Sequence, residues 1–167
     1  MSDSHTPSEL DRFFHGLAEN AFHGELGLVD PPLVDYVATL LVRFSRNECV
    51  RALPHDEPFV CDNVSQMLAF VQYEPPAIAQ KEYQHIGDYT LFWVGVYPEA
   101  LRHFQHPNRP DYLIDYRESG KRAYRMAAML EQEHASEKKH VFRLLSEEYD
   151  ACVVGLGRVR EAWGDAA

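Results

Sequence analysis

Residues 89–98 read YTLFWVGVYP, the longest apolar stretch of the chain without a charge. The stretch is about half of what a membrane-spanning helix needs, so it belongs in a protein core. It closes a longer segment, 76–97, that begins at Pro75-Pro76 and stops at Pro98. Proline is tolerated in the first turn of a helix and cannot continue one. The segment therefore predicts one helix, apolar on every side over its second half, that must lie at the centre of the fold. Gly87 and Gly95 within it leave room for neighbouring helices to come close.

The rest of the chain supplies helices to surround it. Of the 167 residues, 46% are hydrophobic and 12% aromatic, too apolar for disorder and about one domain in length. Apolar residues recur at helical spacing over 8–23, 31–46, 63–72, 111–134 and 136–163, with a short piece through Leu101 and Phe104. Ser8, Asp30, Asn63, Asp111 and Ser136 stand where N-caps are expected. Residues 47–62 hold Pro54 and Pro58 without a period and are expected to form a loop. No segment alternates as a strand would. The expectation is an all-α, single-domain helical bundle of about six or seven helices with 76–97 buried at its centre. Its domain would span 8–163, between a flexible N-terminus, 1–7, and a tail, 164–167.

Charge narrows the partners. Lys and Arg number 16 against 26 Asp and Glu, a formal net charge of −10. Nucleic acid and anionic membranes both call for a basic face, so neither is expected as a partner. No charged start followed by an apolar stretch suggests a signal peptide. Cys49, Cys61 and Cys152 are odd in number, irregular in spacing and without a CxxC, which fits reduced thiols in a cytoplasmic protein.

Three Glu-x-x-His pairs occur: Glu82/His85, Glu131/His134 and Glu137/His140. The spacing places both side chains on one helix face. Glu82 and His85 share the face of Tyr89, Phe92, Trp93 and Val96, and so aim a carboxylate and an imidazole at the core. Glu131 continues the stripe of Leu113, Gly120, Tyr124 and Ala127, with His134 beside it. Glu137 and His140 point away from their stripe and read as solvated, as does the column Asp11, His15, Glu19 and His23. A buried charge must be paired, hydrogen-bonded or metal-bound. Glu82, His85, Glu131 and His134 are therefore the metal-ligand candidates, for iron or another divalent ion, with Glu118 as an extra carboxylate. The bland alternative is a set of polar pairs at helix ends. Asp88, inside the most apolar helix, reads as a buried acid or as the partner of an Arg or backbone group on the next helix. With Tyr89, Trp93 and Tyr124 it forms the ligand-binding candidate set, since phenols and an indole can line a small-molecule pocket or merely pack a core. No phosphate-binding glycine loop, nucleophile elbow or HExxH motif is present.

The segment 85–99, HIGDYTLFWVGVYPE, and the segment 111–124, where a Tyr-rich helix start leads to Gly120 and Ala123-Tyr124, resemble a family of uncharacterised bacterial helical proteins. The resemblance covers about a fifth of the chain and brings no activity. It implies that Gly87, Asp88, Gly95, Pro98 and Tyr124 act together. The two inward Glu-x-x-His pairs are also similar to those of ferritin-like di-iron helix bundles, a pattern here lacking two carboxylates. Two functions stay open: a small-ligand or metal-binding protein with a buried Glu/His/Asp site, enzyme or not, and a non-catalytic structural or interaction domain. Either is compatible with a homo-oligomer.

Overall fold

Local caps set most of the helix starts. Ser8 and Asp11 exchange hydrogen bonds in a capping box that opens α1 (Glu9–Glu19). The helix widens into a π-helical turn, Asn20–Glu25, and leaves through Gly27 at φ 67°, a value that favours glycine. The Asp30 carboxylate accepts from the Leu33 N–H at 3.0 Å and starts α2 (Pro31–Ser45). Asn63 does the same for α3 (Val64–Val71) through the Gln66 N–H at 3.0 Å. Pro76 opens α4 (Pro76–Val96), which stops before Pro98 and gives way to a 3-10 turn, Pro98–Ala100, and a single turn, α5 (Leu101–Phe104). Asp115 caps α6 (Tyr116–Leu130), and Ser136 caps α7 (Glu137–Glu147), which is followed by α8 (Tyr149–Ala166). This is a computed structural model, and it describes residues 6–46, 63–133 and 136–166. Among them the chain is all-α, with eight α-helices and no strand.

Two helices differ from their sequence expectation. Asp111 does not cap the helix that follows it; residues 111–114 form a turn, and Asp115 is the cap. Leu113, expected on an apolar face, is 86% exposed. The segment 136–163 is two helices rather than one, and the second runs on to Ala166. The break at Glu148 lets the two halves pack differently: α7 lies on α6 and α2, whereas α8 lies on α4 and α1. One straight helix could not follow both surfaces. Residues 1–5 of the expected flexible N-terminus, the expected loop at 47–62 with Cys49 and Cys61, and His134 lie outside the described residues.

Every residue from Ile86 to Val96 is buried, as the sequence predicts for the centre of the fold. Helix α6 covers α4 most extensively, with α8 on another side. Contacts step in opposite directions along α4 and α6, from Thr90 with Gly120 to Gly87 with Tyr124 and Gln80 with Glu131, so the two are antiparallel. The Trp93 indole meets the Phe104 ring edge-on at 4.9 Å, which anchors the short α5 against α4. A single hydrophobic cluster joins α1, α2, α4, α6, α7 and α8. No helix of the described residues is long and apolar enough to cross a membrane.

Cys152 belongs to this cluster and is fully buried. Burial pushes its thiol up to about 12, far from the thiolate form that reacts. With Cys49 and Cys61 replaced by serine, iodoacetamide at pH 8 should leave the folded protein almost unmodified and label it fully in denaturant. Rapid labelling of the native state would place Cys152 at the surface.

Candidate functional site

The most concentrated buried chemistry surrounds Asp88, which has no exposed surface. It sits on α4 one residue after Gly87, where α6 comes so close that a Cβ would stand 2.6 Å from the Tyr124 ring. That approach lets Tyr124 of α6 donate to Asp88 Oδ1 at 2.7 Å. Tyr36 of α2 donates to the same oxygen at 2.6 Å. The Arg43 guanidinium, seven residues further along α2 and so on the same face, donates to Oδ2 at 2.6 Å. Gln84 of α4 donates to the Tyr36 hydroxyl at 3.0 Å. Three helices thus meet on one carboxylate. The arrangement runs from a dry end at Tyr124 to a wet one at Arg43, whose side chain is half exposed.

The electrostatics keep the donors around Asp88 protonated. Burial, and then the Asp88 charge, push the Tyr124 and Tyr36 hydroxyls well above the ordinary phenol range. Both remain donors at any physiological pH. Burial disfavours the Arg43 charge, but the Asp88 carboxylate outweighs it and holds the guanidinium above its ordinary value. Such a cluster can orient helices and bind a proton-bearing phenol.

A second buried carboxylate repeats the pattern. Asp111 is 2% exposed and accepts from the Val64 N–H at 3.0 Å and the Ser65 N–H at 2.8 Å. Tyr116 donates to it as well. Asp111 therefore closes the N-terminus of α3, a helix 47 residues earlier, where free N–H groups and the helix dipole favour a negative charge. Burial, then Tyr89 and Asp111, raise the Tyr116 hydroxyl far above its usual value.

The ligand-binding candidates are thus all in the core. Tyr124 joins Asp88 directly, while Tyr89 lies beside Tyr116, 6.3 Å between ring centres. Trp93 is 1% exposed, and its Nε1 finds no hydrogen-bond partner among the described residues. Glu82 and His85 are only half-buried, in the first half of α4, where Ala79 is the one residue of 76–85 that is buried. Glu131 follows the end of α6 and accepts from Gln80 of α4 at 3.2 Å, so the segments bearing the two inward pairs do lie together. Among the described residues no three His, Cys, Asp or Glu side chains are grouped to hold a metal. His134 is outside them. Glu118 is exposed and lies 3.6 Å from Lys121.

Two histidines read as solvated reach across helices all the same. His15 of α1 lies 2.6 Å from Asp35, and His140 of α7 lies 2.8 Å from Asp30, both on the first turns of α2 or its cap. Burial draws the Asp30 carboxyl upward, but bonds from His140 and the Leu33 N–H outweigh it and leave the group below its ordinary 3.8. A depressed carboxyl contributes stability that is complete above its unfolded value and lost as pH falls through its folded one. Asp30→Asn keeps a capping oxygen and removes the charge. It should cost about 0.5–1 kcal/mol at pH 6 and approach the native protein as pH falls to about 3. Denaturant titrations at both pH values check this; an equal deficit at pH 3 would show that the charge plays no part.

Sequence reasoning missed Tyr36, Arg43 and Gln84. Tyr36 stands at the edge of the apolar stripe of α2 and looks like core; Arg43, two turns on at the same edge, carries a charge and looks like surface. The available signal was their seven-residue spacing, which returns to one face after two turns. Compared with known proteins, the chain matches no family model, no curated protein and no solved structure.

Proposed function

We propose that this chain is a non-catalytic helical domain that acts through its surface, its buried carboxylates serving to fix helix register. The observation that carries this reading is the closure of Asp88. Tyr36, Tyr124 and Arg43 use three of its about four acceptor positions, all from within the chain. Their hydrogen-bonding capacity is spent on joining α2, α4 and α6. A pair of buried phenols on one carboxylate fits only one sliding position of each helix, because a shift of one residue would strand three polar groups in the core. Asp111 supports the same reading, since its donors also come from this chain.

The rival reading is a small-ligand or metal protein that uses Glu82, His85 and Glu131, with His134, to hold iron or another divalent ion. The contact between Gln80 and Glu131 favours it to the extent of bringing the two segments together. Elemental analysis of protein purified without a His tag separates the two. Metal below a tenth of an equivalent per chain, equal in all variants, is expected. A stoichiometric metal lost in Glu82→Ala and His85→Ala, yet kept in His140→Ala, would overturn the non-catalytic reading.

A further inference from the structure

We propose that the outer seam between α6 and α7 docks an acidic, partly apolar segment of another protein. The inference names a kind of partner for the non-catalytic reading and rests on it. Helices α6 and α7 run antiparallel: Ser146 donates to the Lys121 carbonyl at 2.9 Å, and the Tyr124 and Phe142 rings stack with centres 6.5 Å apart. The stretches that pass each other there, 119–130 and 138–146, hold six of the chain's 16 Lys and Arg and none of its 26 Asp and Glu. Lys139 and Arg143 stand seven and three residues before Ser146, on the side of α7 that meets α6. Arg125 follows Lys121 by one turn, and Arg122 lies beside it on the outside of α6. Arg122, Arg125 and Arg143 are exposed, and Lys139 is half-buried. Among the described residues none of these four cations has a carboxylate partner, although carboxylates are in excess. Arg43 pairs with Asp88, Arg117 and Lys121 with Asp150, Arg158 with Glu25 and Arg160 with Glu99. Like charges gathered without counter-charges repel one another and favour an anion placed over them.

The surroundings of the four cations choose among anions. Met129, 66% exposed, and the half-buried Met126 lie between the arginines. Arg and Met together are enriched at protein interfaces, and flexible thioether chains accept apolar side chains of varied shape. The Tyr and Phe rings of α6 and α7, Tyr116, Tyr124 and Phe142, are all buried, so the seam has no platform on which bases could stack. The stretch 119–130 is about 18 Å long, little more than twice the screening length of about 8 Å at physiological salt. Nucleic acid or an anionic bilayer would reach past it and meet a surface where the other 12 of the 16 Lys and Arg are set against 26 Asp and Glu. A short acidic segment gains carboxylate–guanidinium pairs of matching shape and ends before that repulsion begins.

Selection of a random twelve-residue peptide library on the full chain tests this. Peptides that combine Asp or Glu with Leu, Ile or Phe should be enriched. A synthetic peptide of the enriched sequence should bind more weakly as salt is raised. Arg122→Glu with Arg125→Glu should weaken its binding at least about tenfold. Arg12→Glu with Arg109→Glu, the same charge change at exposed sites on α1 and between α5 and α6, should alter it by less than about twofold. Circular dichroism should be unchanged in all variants, and Arg125→Gln with Arg143→Gln serves if the charge-reversed protein fails to fold. No enrichment, enrichment without acidic residues, or undiminished binding to the Arg122→Glu, Arg125→Glu protein overturns the proposal. So does tighter binding of a twenty-base single strand or of phosphatidylserine vesicles than of any selected peptide, since the occupant would then be nucleic acid or a membrane. Stoichiometric metal lost with His85→Ala overturns the underlying reading instead, so the two failures are distinguishable.

Discussion

Asp88→Ala should be among the most destabilising single substitutions in this protein, at about 3–5 kcal/mol. Alanine leaves the Tyr36 and Tyr124 hydroxyls and one Arg43 N–H without their acceptor, two of the three well inside the protein. Each stranded buried polar group costs about 1–3 kcal/mol, and the lost volume adds a cavity. A domain of this size holds only about 5–15 kcal/mol in all. A fall of roughly 10 °C or more in Tm is the expected readout. The graded variants carry the argument further. Tyr124→Phe removes one donor and should cost about 1–2 kcal/mol. Arg43→Ala should cost less than Asp88→Ala, because its side chain is 50% exposed and water replaces part of what is lost. If Asp88→Ala melts within about 2 °C of the native protein, Asp88 does not fix helix register and the proposed role falls with it.

Gly87→Ala should be nearly as severe for the smallest possible change. A Cβ there would lie 2.6 Å from the Tyr124 ring. Tyr124 is wholly buried, stacked near Phe142 and held by Asp88, so it has nowhere to move. Helix α4 and helix α6 would have to separate, at a cost of about 1–3 kcal/mol or more. In most helices the same change stabilises by about 0.5–1 kcal/mol, because alanine restricts the unfolded chain and glycine does not. Gly16 of α1 provides that comparison, since nothing lies within 4 Å of its would-be Cβ. Opposite signs for Gly16→Ala and Gly87→Ala in urea titrations are expected. A Gly87→Ala protein as stable as the native one would mean that α4 and α6 are not in this close contact. Gly95→Leu should behave like Gly87→Ala, as its Cβ would meet Leu156 at 2.8 Å.

What could be read in the chain before folding was whatever depends on neighbours within a few residues. Ser8, Asp30, Asn63 and Ser136 each accept from an N–H three residues on, so type and spacing announce the cap. Pro76 and Pro98 bound the central helix by steric rules that need no partner. The unbroken apolar stretch before Pro98 could only be buried, and it is. Gly87 and Gly95 announced close approach, though not what approaches.

Tertiary structure decided what each polar group is for. Asp111 has the sequence of a local cap, and its backbone N–H donors lie 47 and 46 residues away. Arg43 stands at the edge of the apolar stripe of α2 and reads as surface, yet its long side chain reaches Asp88, 45 residues on. Glu82 and His85 share a face with Trp93, but they are half-buried, in the part of α4 where the cover is least complete. Periodicity gives the direction in which a side chain leaves its helix. It does not give the height at which the neighbouring helix ends, nor where a flexible side chain finds a charge. Those depend on how the helices pack, and packing is settled by all of them together.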